Sequence, residues 1–127
     1  MEYRIRALGI APYEGMKHLM ASLQEEYPQL DLTLFVGDRD EGLEIARSNF
    51  HGNYDVVISR GCTANMLRQN LALPVIEIDL TVYDLLCALK LTDGLTGKIA
   101  IVCAANLSSS ARRLCDLMGY DMAIFTY

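Results

Sequence analysis

The sequence has no apolar run that approaches the roughly 20 residues needed to cross a bilayer, and it does not begin with a signal-peptide pattern. Positive charge is also scarce, since 11 Lys and Arg stand against 16 Asp and Glu. A nucleic-acid surface needs a basic face. We therefore expect a cytoplasmic protein that contacts no membrane and binds no nucleic acid directly. Its 127 residues suit one domain, and 52% of them are hydrophobic, enough for a real core.

The cysteines lack any short spacing that would indicate a metal site or a disulfide framework. No Cys-x-x-Cys occurs, and the two histidines lie far from the cysteines in sequence. We therefore expect no metal and no cofactor. Two cysteines fall among leucines at helical spacing and are predicted to be buried, Cys87 and Cys115. The other two follow predicted strands, Cys62 and Cys103.

The most informative stretch is Asp55 to Ala64. Its apolar residues, Val56 to Ile58, are β-branched and do not alternate with polar ones, which favours a strand buried on both faces of a parallel sheet. A helix is predicted to begin near Thr63 or Ala64. Ligands of open α/β sheets gather where such strands end, and the residues there are Ser59, Arg60, Gly61, Cys62 and Thr63.

The chemistry of this loop favours an anion. Gly61 lets the backbone turn and approach a ligand closely. Free N–H groups at a helix start, beside the guanidinium of Arg60, favour negative charge. The alternative is a plain strand-to-helix turn with Arg60 in solvent, because such turns occur throughout doubly wound folds.

The rest of the chain alternates strand and helix patterns. Each predicted strand except the last is followed by a helical pattern, and the strands are predicted over residues 4–10, 30–36, 56–58, 73–78, 98–103 and 120–126. The last two helices are predicted over 83–91 and 109–118. Short connections between alternating elements predict an α/β fold with a doubly wound parallel sheet and right-handed crossovers.

Several polar residues are predicted to end or begin helices. Asp38 is expected to cap the second helix in a capping box with Glu41, and His51 to Asn53 to close that helix, with His51 in solvent. Asp79 or Thr81 should cap the fourth helix, and the serines of the loop over 104–108 are good caps for the fifth. Gly119 should end that fifth helix. Glu77 interrupts an apolar strand, and it faces either solvent at an edge or the site.

Three segments together resemble one family. The segments are Ile58-Ser-Arg-Gly-Cys-Thr-Ala64, Leu73-Pro-Val-Ile-Glu-Ile78 and Val82-Tyr-Asp-Leu-Leu86. They are similar to the N-terminal sensor domain of the propionate-catabolism activator (PrpR-type) family of sigma-54-dependent transcriptional regulators. The opening Ile10-Ala-Pro-Tyr13 also fits. Cys62 is a departure, because the family usually has glycine there, and a thiol narrows the loop.

The resemblance implies two flavodoxin-like lobes with a ligand cleft between them. On this interpretation residues 1–79 form the first lobe, 80–97 a connecting helix and turn, and 98–127 an incomplete second lobe. The chain would be an effector sensor and not an enzyme, binding a small carboxylate similar to 2-methylcitrate. The ligand-binding residues would be Tyr13, Ser59, Arg60, Gly61, Cys62, Thr63, Ala64, Tyr83, Asp84, Asn106 and Ser108.

Two other functions stay open. Cys62-Thr-Ala-Asn65 is also similar to the first catalytic segment of cofactor-independent amino-acid racemases, in which Cys62 and Cys103 would act as opposed acid and base. The third possibility is a dimerisation module that binds no ligand. No helix pattern follows the last strand, so either a partner subunit or a further C-terminal segment should cover its apolar side, and a homo-oligomer through this C-terminal edge is expected.

Overall fold

The structure is a computed structural model, and it describes residues 3–49 and 53–127. The chain divides into two compact units, Met1–Asp79 and Leu80–Tyr127. The first unit contains β1 (Ile5–Ala11), α1 (Glu14–Gln24), β2 (Leu30–Val36), α2 (Arg39–Ser48), β3 (Val56–Ser59), α3 (Gly61–Asn70) and β4 (Val75–Glu77). The second contains α4 (Val82–Lys90), β5 (Ala100–Cys103), α5 (Ala105–Met118) and β6 (Ala123–Thr126).

The predicted alternation of strands and helices and the parallel sheet are confirmed. In the first unit the four strands lie in the order β2-β1-β3-β4, and every pair of neighbours is parallel. β2 lies on one side of β1, whereas β3 and β4 lie on the other. The direction of winding therefore reverses between β1 and β3, and in open α/β sheets this switch point is where ligands bind.

Helices cover both faces of this sheet, as a doubly wound fold requires. One core cluster contains Leu8, Ile10 and Val57 from the strands together with Leu43 of α2 and Leu67 of α3. The opposite cluster joins two methionines of α1 to the end of β1. Fully burying one such large apolar side chain stabilises a fold by about 1.5–3 kcal/mol, so these two clusters fix the positions of the loops at the strand ends.

A close approach of two glycines holds α2 against the end of β2. A Cβ atom added to Gly42 would lie 2.8 Å from the carbonyl oxygen of Gly37 and 2.9 Å from Cγ2 of Thr63. These separations are shorter than van der Waals contact, so only glycine fits there. The first turns of α2 therefore pack directly on the β2–α2 loop and on the beginning of α3.

The second unit has its own small core. β5 and β6 are parallel, and the buried residues that pack together are Leu89 of α4 with Leu114 and Cys115 of α5. Burial raises the pKa of the Cys115 thiol. Thr81 and Asp84 form the capping box of α4. Gly119 has φ +73° and ends α5 in the left-handed conformation, as its sequence position predicts.

Two predicted helix starts are wrong. α3 begins at Gly61 and not at Thr63 or Ala64, since Arg60 already has the extended backbone of an N-cap. α5 begins at Ala105 and not at residue 109, with Ala104 as its N-cap and no side-chain cap. The serines predicted to cap it from the loop lie inside the helix instead. Both helices start directly at the strand end, which shortens each connection.

Two other predictions fail for tertiary reasons. Asp38 is the N-cap of α2, but its side chain makes no capping bond, because the carboxylate bonds to another helix as described below. Cys87 is exposed rather than buried, since an apolar helix sequence does not determine which of its faces is covered. The predicted end of α2 is also wrong, because the helix ends at Ser48 with Asn49 as its C-cap. Of the residues predicted to close it, His51 and Gly52 lie outside the described part of the chain.

Candidate functional site

The end of β3 is tied to β1 at the switch point through Ser59. This side chain is 1% exposed, and its hydroxyl donates a 2.6 Å hydrogen bond to the carbonyl oxygen of Ile10. The carbonyl of Ser59 in turn accepts the N–H of Ile78 at 2.8 Å. Ser59 thus positions the loop that follows it, and its hydroxyl is already engaged inside the fold.

The side chains of Arg60 and Tyr13 form a hydrogen bond in the loops that follow the Ser59–Ile10 hydrogen bond. Nη1 of Arg60 donates a hydrogen bond of 2.9 Å to the hydroxyl oxygen of Tyr13. Arg60 follows β3 and Tyr13 follows β1, so the pair lies across the switch point. Tyr13 is 49% exposed. The phenol O–H and the other guanidinium N–H groups are donors of the kind that bind a carboxylate.

The first turn of α3 adds backbone donors next to Arg60. The first i→i−4 bond of the helix runs from Ala64 N–H to the carbonyl of Arg60, at 3.2 Å. The N–H groups of Gly61, Cys62 and Thr63 come before it, so they have no acceptor within the helix. Ala64 itself is fully buried, and its N–H is used. The positive end of the helix dipole at this turn favours an anion.

Gly61 is required at this turn by its backbone. Its φ of +61° lies in the left-handed region, which costs any residue with a Cβ atom roughly 1–2 kcal/mol. A Cβ atom there would meet no other atom within 4 Å. The glycine is therefore needed for its conformation and not for space. The sequence prediction that Gly61 allows the chain to turn is consistent with this geometry.

Thr63 links the site to the neighbouring β2–α2 loop. Its hydroxyl donates to Oδ1 of Asp38 at 2.8 Å and accepts the backbone N–H of Arg39 at 2.9 Å. Thr63 is 1% exposed, and Arg39 has the left-handed φ of +48°. Sequence reasoning missed this network. The available signal was an Asp at a helix start, and that signal pointed to capping of its own helix.

Two further residues near this edge were singled out from the sequence. Cys62 is the second residue of α3 and is exposed. Glu77, for which edge and site were both open, lies on the outer strand β4 of the described sheet and forms an ion pair with Arg68 at 3.7 Å. The side chain of Glu77 is 26% exposed.

The other predicted site residues lie in the second unit. Tyr83 is 71% exposed in the first turn of α4. The carboxylate of Asp84 accepts hydrogen bonds from the N–H and the hydroxyl of Thr81, at 2.9 and 2.8 Å. Asp84 therefore completes the capping box of α4, whose N-cap is Thr81. Asn106 is exposed in the first turn of α5.

A polar cluster closes the carboxyl end of the second sheet. Oγ of Ser108 lies 2.6 Å from Oγ1 of Thr126 and 3.7 Å from Sγ of Cys103. Cys103 is 8% exposed. Of the two cysteines that a racemase would need, Cys62 is thus exposed in the first unit and Cys103 is buried in the second.

A second polar region lies at the opposite edge of the first sheet. The guanidinium of Arg6 donates to Asp55 at 3.2 Å, and the backbone N–H of Arg6 donates to the same carboxylate at 2.9 Å. These hydrogen bonds, the backbone one foremost, hold the pKa of Asp55 below its ordinary value. A groove of about 310 Å³ adjoins this ion pair, lined by Arg6, Asp31, Thr33, Asn53 and Tyr54.

Within residues 3–49 and 53–127, no group of three or more His, Cys, Asp or Glu side chains is arranged to hold a metal ion. In the same part of the chain, every helix is too short or too polar to cross a membrane.

The comparisons with known proteins give one match. The family described as propionate catabolism activator matches residues 26–127, most of the chain. The matched region includes Arg60 and the first turn of α3, whereas Tyr13 precedes it. No curated protein and no solved structure matches significantly.

Proposed function

Since the chain belongs to the propionate catabolism activator family, as its N-terminal sensor domain, we propose that it binds a small carboxylate effector at the carboxyl edge of β1 and β3. The effector is a tricarboxylate of the 2-methylcitrate type, and binding it regulates a sigma-54-dependent activator in the cytoplasm. The chain performs no chemistry on the effector.

The Arg60–Tyr13 pair is the observation that carries this proposal. A guanidinium binds a carboxylate through two parallel N–H donors, and the Tyr13 contact engages one nitrogen of Arg60. The three N–H groups that open α3 lie on the same turn of chain. Charge-assisted hydrogen bonds of this kind contribute about 1.5–3 kcal/mol each, so one carboxylate held by Arg60 and this turn accounts for millimolar to micromolar affinity.

The net charge of the chain also bears on where an anionic effector would bind. With a net charge of −5, the chain as a whole does not attract a polyanion. A carboxylate effector therefore needs a local concentration of donors, and the switch point supplies a cation, a phenol and a helix start together. The same loop is unsuited to a large apolar ligand, because its side chains are polar or small.

Calorimetric titration tests the proposal directly. Wild type, Arg60→Ala and Arg47→Ala are titrated with 2-methylcitrate and citrate. Arg60→Ala should weaken binding roughly tenfold or more, since it removes one charge-assisted contact. Arg47→Ala is the matched control, because it removes the same charge from an exposed position in the last turn of α2, away from the carboxyl edge. It should bind as wild type does.

The outcomes separate the possibilities. Equal binding by wild type and Arg60→Ala would refute the assignment of the site to this edge. Equal weakening by both arginine variants would mean that overall charge, rather than Arg60, governs affinity. Absence of binding by any tricarboxylate would refute the effector-sensing function as stated here.

Self-association through the C-terminal edge is a further part of the proposal. Val102 of β5 and Phe125 of β6 are neighbours in the strand register, and they are 67% and 58% exposed. Parallel strands are usually covered on both faces, so an apolar pair of this size favours a second copy of the chain. Sedimentation velocity over a range of concentrations should show a dimer, and a monomer at the highest concentration would contradict it.

A further inference from the structure

The side chain of Asp38 leaves its own helix and bonds to the neighbouring one. Asp38 is the N-cap of α2, yet it makes no side-chain capping bond. Its Oδ1 instead accepts the hydroxyl of Thr63 at 2.8 Å. A side-chain N-cap stabilises a helix, so Asp38 exchanges a local capping interaction for a tertiary one.

This contact places a carboxylate at the first turn of α3. Thr63 is the third residue of that helix, and its N–H is one of the three donors that precede the first intrahelical bond. A carboxylate within hydrogen-bond distance of the Thr63 side chain partly neutralises the positive end of the helix dipole. The first turn of α3 contains no acidic residue of its own, so Asp38 supplies this charge from another loop.

The hydrogen-bond partner of Asp38 is fixed by its surroundings. Thr63 is buried and uses its hydroxyl both as donor to Asp38 and as acceptor for the N–H of Arg39. Gly42 leaves no space between α2 and Cγ2 of Thr63. The packing of α2 on α3 therefore holds the Thr63 hydroxyl beside the exposed carboxylate of Asp38.

We propose that Asp38 is a built-in anion that lowers the affinity of this edge for carboxylate effectors and sets a threshold for sensing them. The inference rests on the proposed function. An effector carboxylate at Arg60 and α3 would share the helix start with Asp38, and two like charges at one site repel. The repulsion increases with the charge of the effector, so it acts most strongly on tricarboxylates.

The test is titration of wild type, Asp38→Asn and Asp31→Asn with acetate, succinate and citrate. Asparagine keeps the oxygen that accepts the Thr63 hydroxyl and removes the charge. Asp38→Asn should bind citrate at least about threefold more tightly than wild type, with a smaller gain for succinate and the smallest for acetate. Asp31→Asn makes the same change of net charge at the start of β2, the other end of the strand, and should leave affinity unchanged.

A second variant separates charge from hydrogen-bond geometry. Asp38→Ala removes both the charge and the acceptor for Thr63, and it should also tighten citrate binding if charge is the cause. Thermal melting of each variant verifies folding before titration. A structural role for Asp38 alone would give no dependence on the charge of the ligand.

Each result has a defined meaning. If wild type binds citrate and Asp38→Asn binds it equally or more weakly, the inference is overturned and the proposed function stands. If only Asp38→Asn binds detectably, the inference is supported in its strongest form. If neither binds, the proposed function and the inference both fail.

Discussion

Thr63→Val is expected to destabilise the first unit by about 2 kcal/mol. The hydroxyl of Thr63 donates to the Asp38 carboxylate, and a hydrogen bond to a charged group contributes about 1.5–3 kcal/mol. It also accepts the N–H of Arg39 in a partly buried hydrogen bond, and such a neutral bond contributes about 0.5–1.5 kcal/mol. Because Asp38 is exposed, water replaces part of the lost contact, so the expected loss is near the lower end of the sum, about 2 kcal/mol. Valine keeps the branched shape of threonine and puts a methyl group in place of the hydroxyl, so the change removes both hydrogen bonds without opening a cavity.

Thr63→Ser is the matched control because it keeps the hydroxyl and deletes Cγ2. That methyl group lies against Gly42, and one buried methyl group contributes about 1 kcal/mol. Urea denaturation followed by circular dichroism gives the free energy of unfolding of each variant and its m-value. The reasoning predicts that Thr63→Val is the less stable of the two. Equal stabilities, or a less stable Thr63→Ser, would show that the Thr63 hydroxyl does not hold the β2–α2 loop.

Two further predictions concern the same unit. Gly42→Ala should destabilise it by about 1–3 kcal/mol, because the new Cβ atom would lie 2.8 Å from the Gly37 carbonyl oxygen. Gly15→Ala should instead stabilise α1, because its Cβ would lie in ordinary van der Waals contact, 3.4 Å from a ring carbon of Tyr13. Thermal melts compare the two variants, and a stabilised Gly42→Ala would contradict the packing. The folded-state pKa of Asp55 lies below its unfolded value, so its pair with Arg6 stabilises the fold above about pH 4 and that contribution disappears as pH falls through the folded pKa. Unfolding measured against pH should lose part of this acid dependence in Asp55→Asn, and identical pH profiles would contradict it.

The sequence predicted the order and type of the elements and a parallel sheet, because these follow from patterns that extend over a few neighbouring residues. Val56 to Ile58 are β-branched and unbroken by polar residues, and they form the inner strand β3. Gly119 ends α5 because glycine adopts the left-handed conformation at little cost. Thr81 caps α4 because its partner Asp84 lies three residues away on the same helix, so no distant part of the fold is needed to complete the cap.

The sequence also indicated the loop of the candidate site, but not the roles of its side chains. Ser59, Arg60 and Thr63 are all polar residues at one strand end, and their spacing does not distinguish them. In the fold, Ser59 and Thr63 turn inward to partners on β1 and the β2–α2 loop. Arg60 alone of these three contacts Tyr13 at the exposed edge. That division depends on which neighbours lie within 3 Å, and those neighbours are 24 to 49 residues away in sequence.

The sequence by itself therefore determined the order and type of the elements and the cap made within α4, and it indicated a candidate loop for an anion. Only the tertiary structure decided the partner of Asp38, the exposed side of Cys87 and the pairing of Arg60 with Tyr13. The physical reason is one of range. Helix and strand periodicity and local caps act over a few residues along the chain, whereas burial and long-range hydrogen bonds are set by strands and helices that meet only after the sheet has formed.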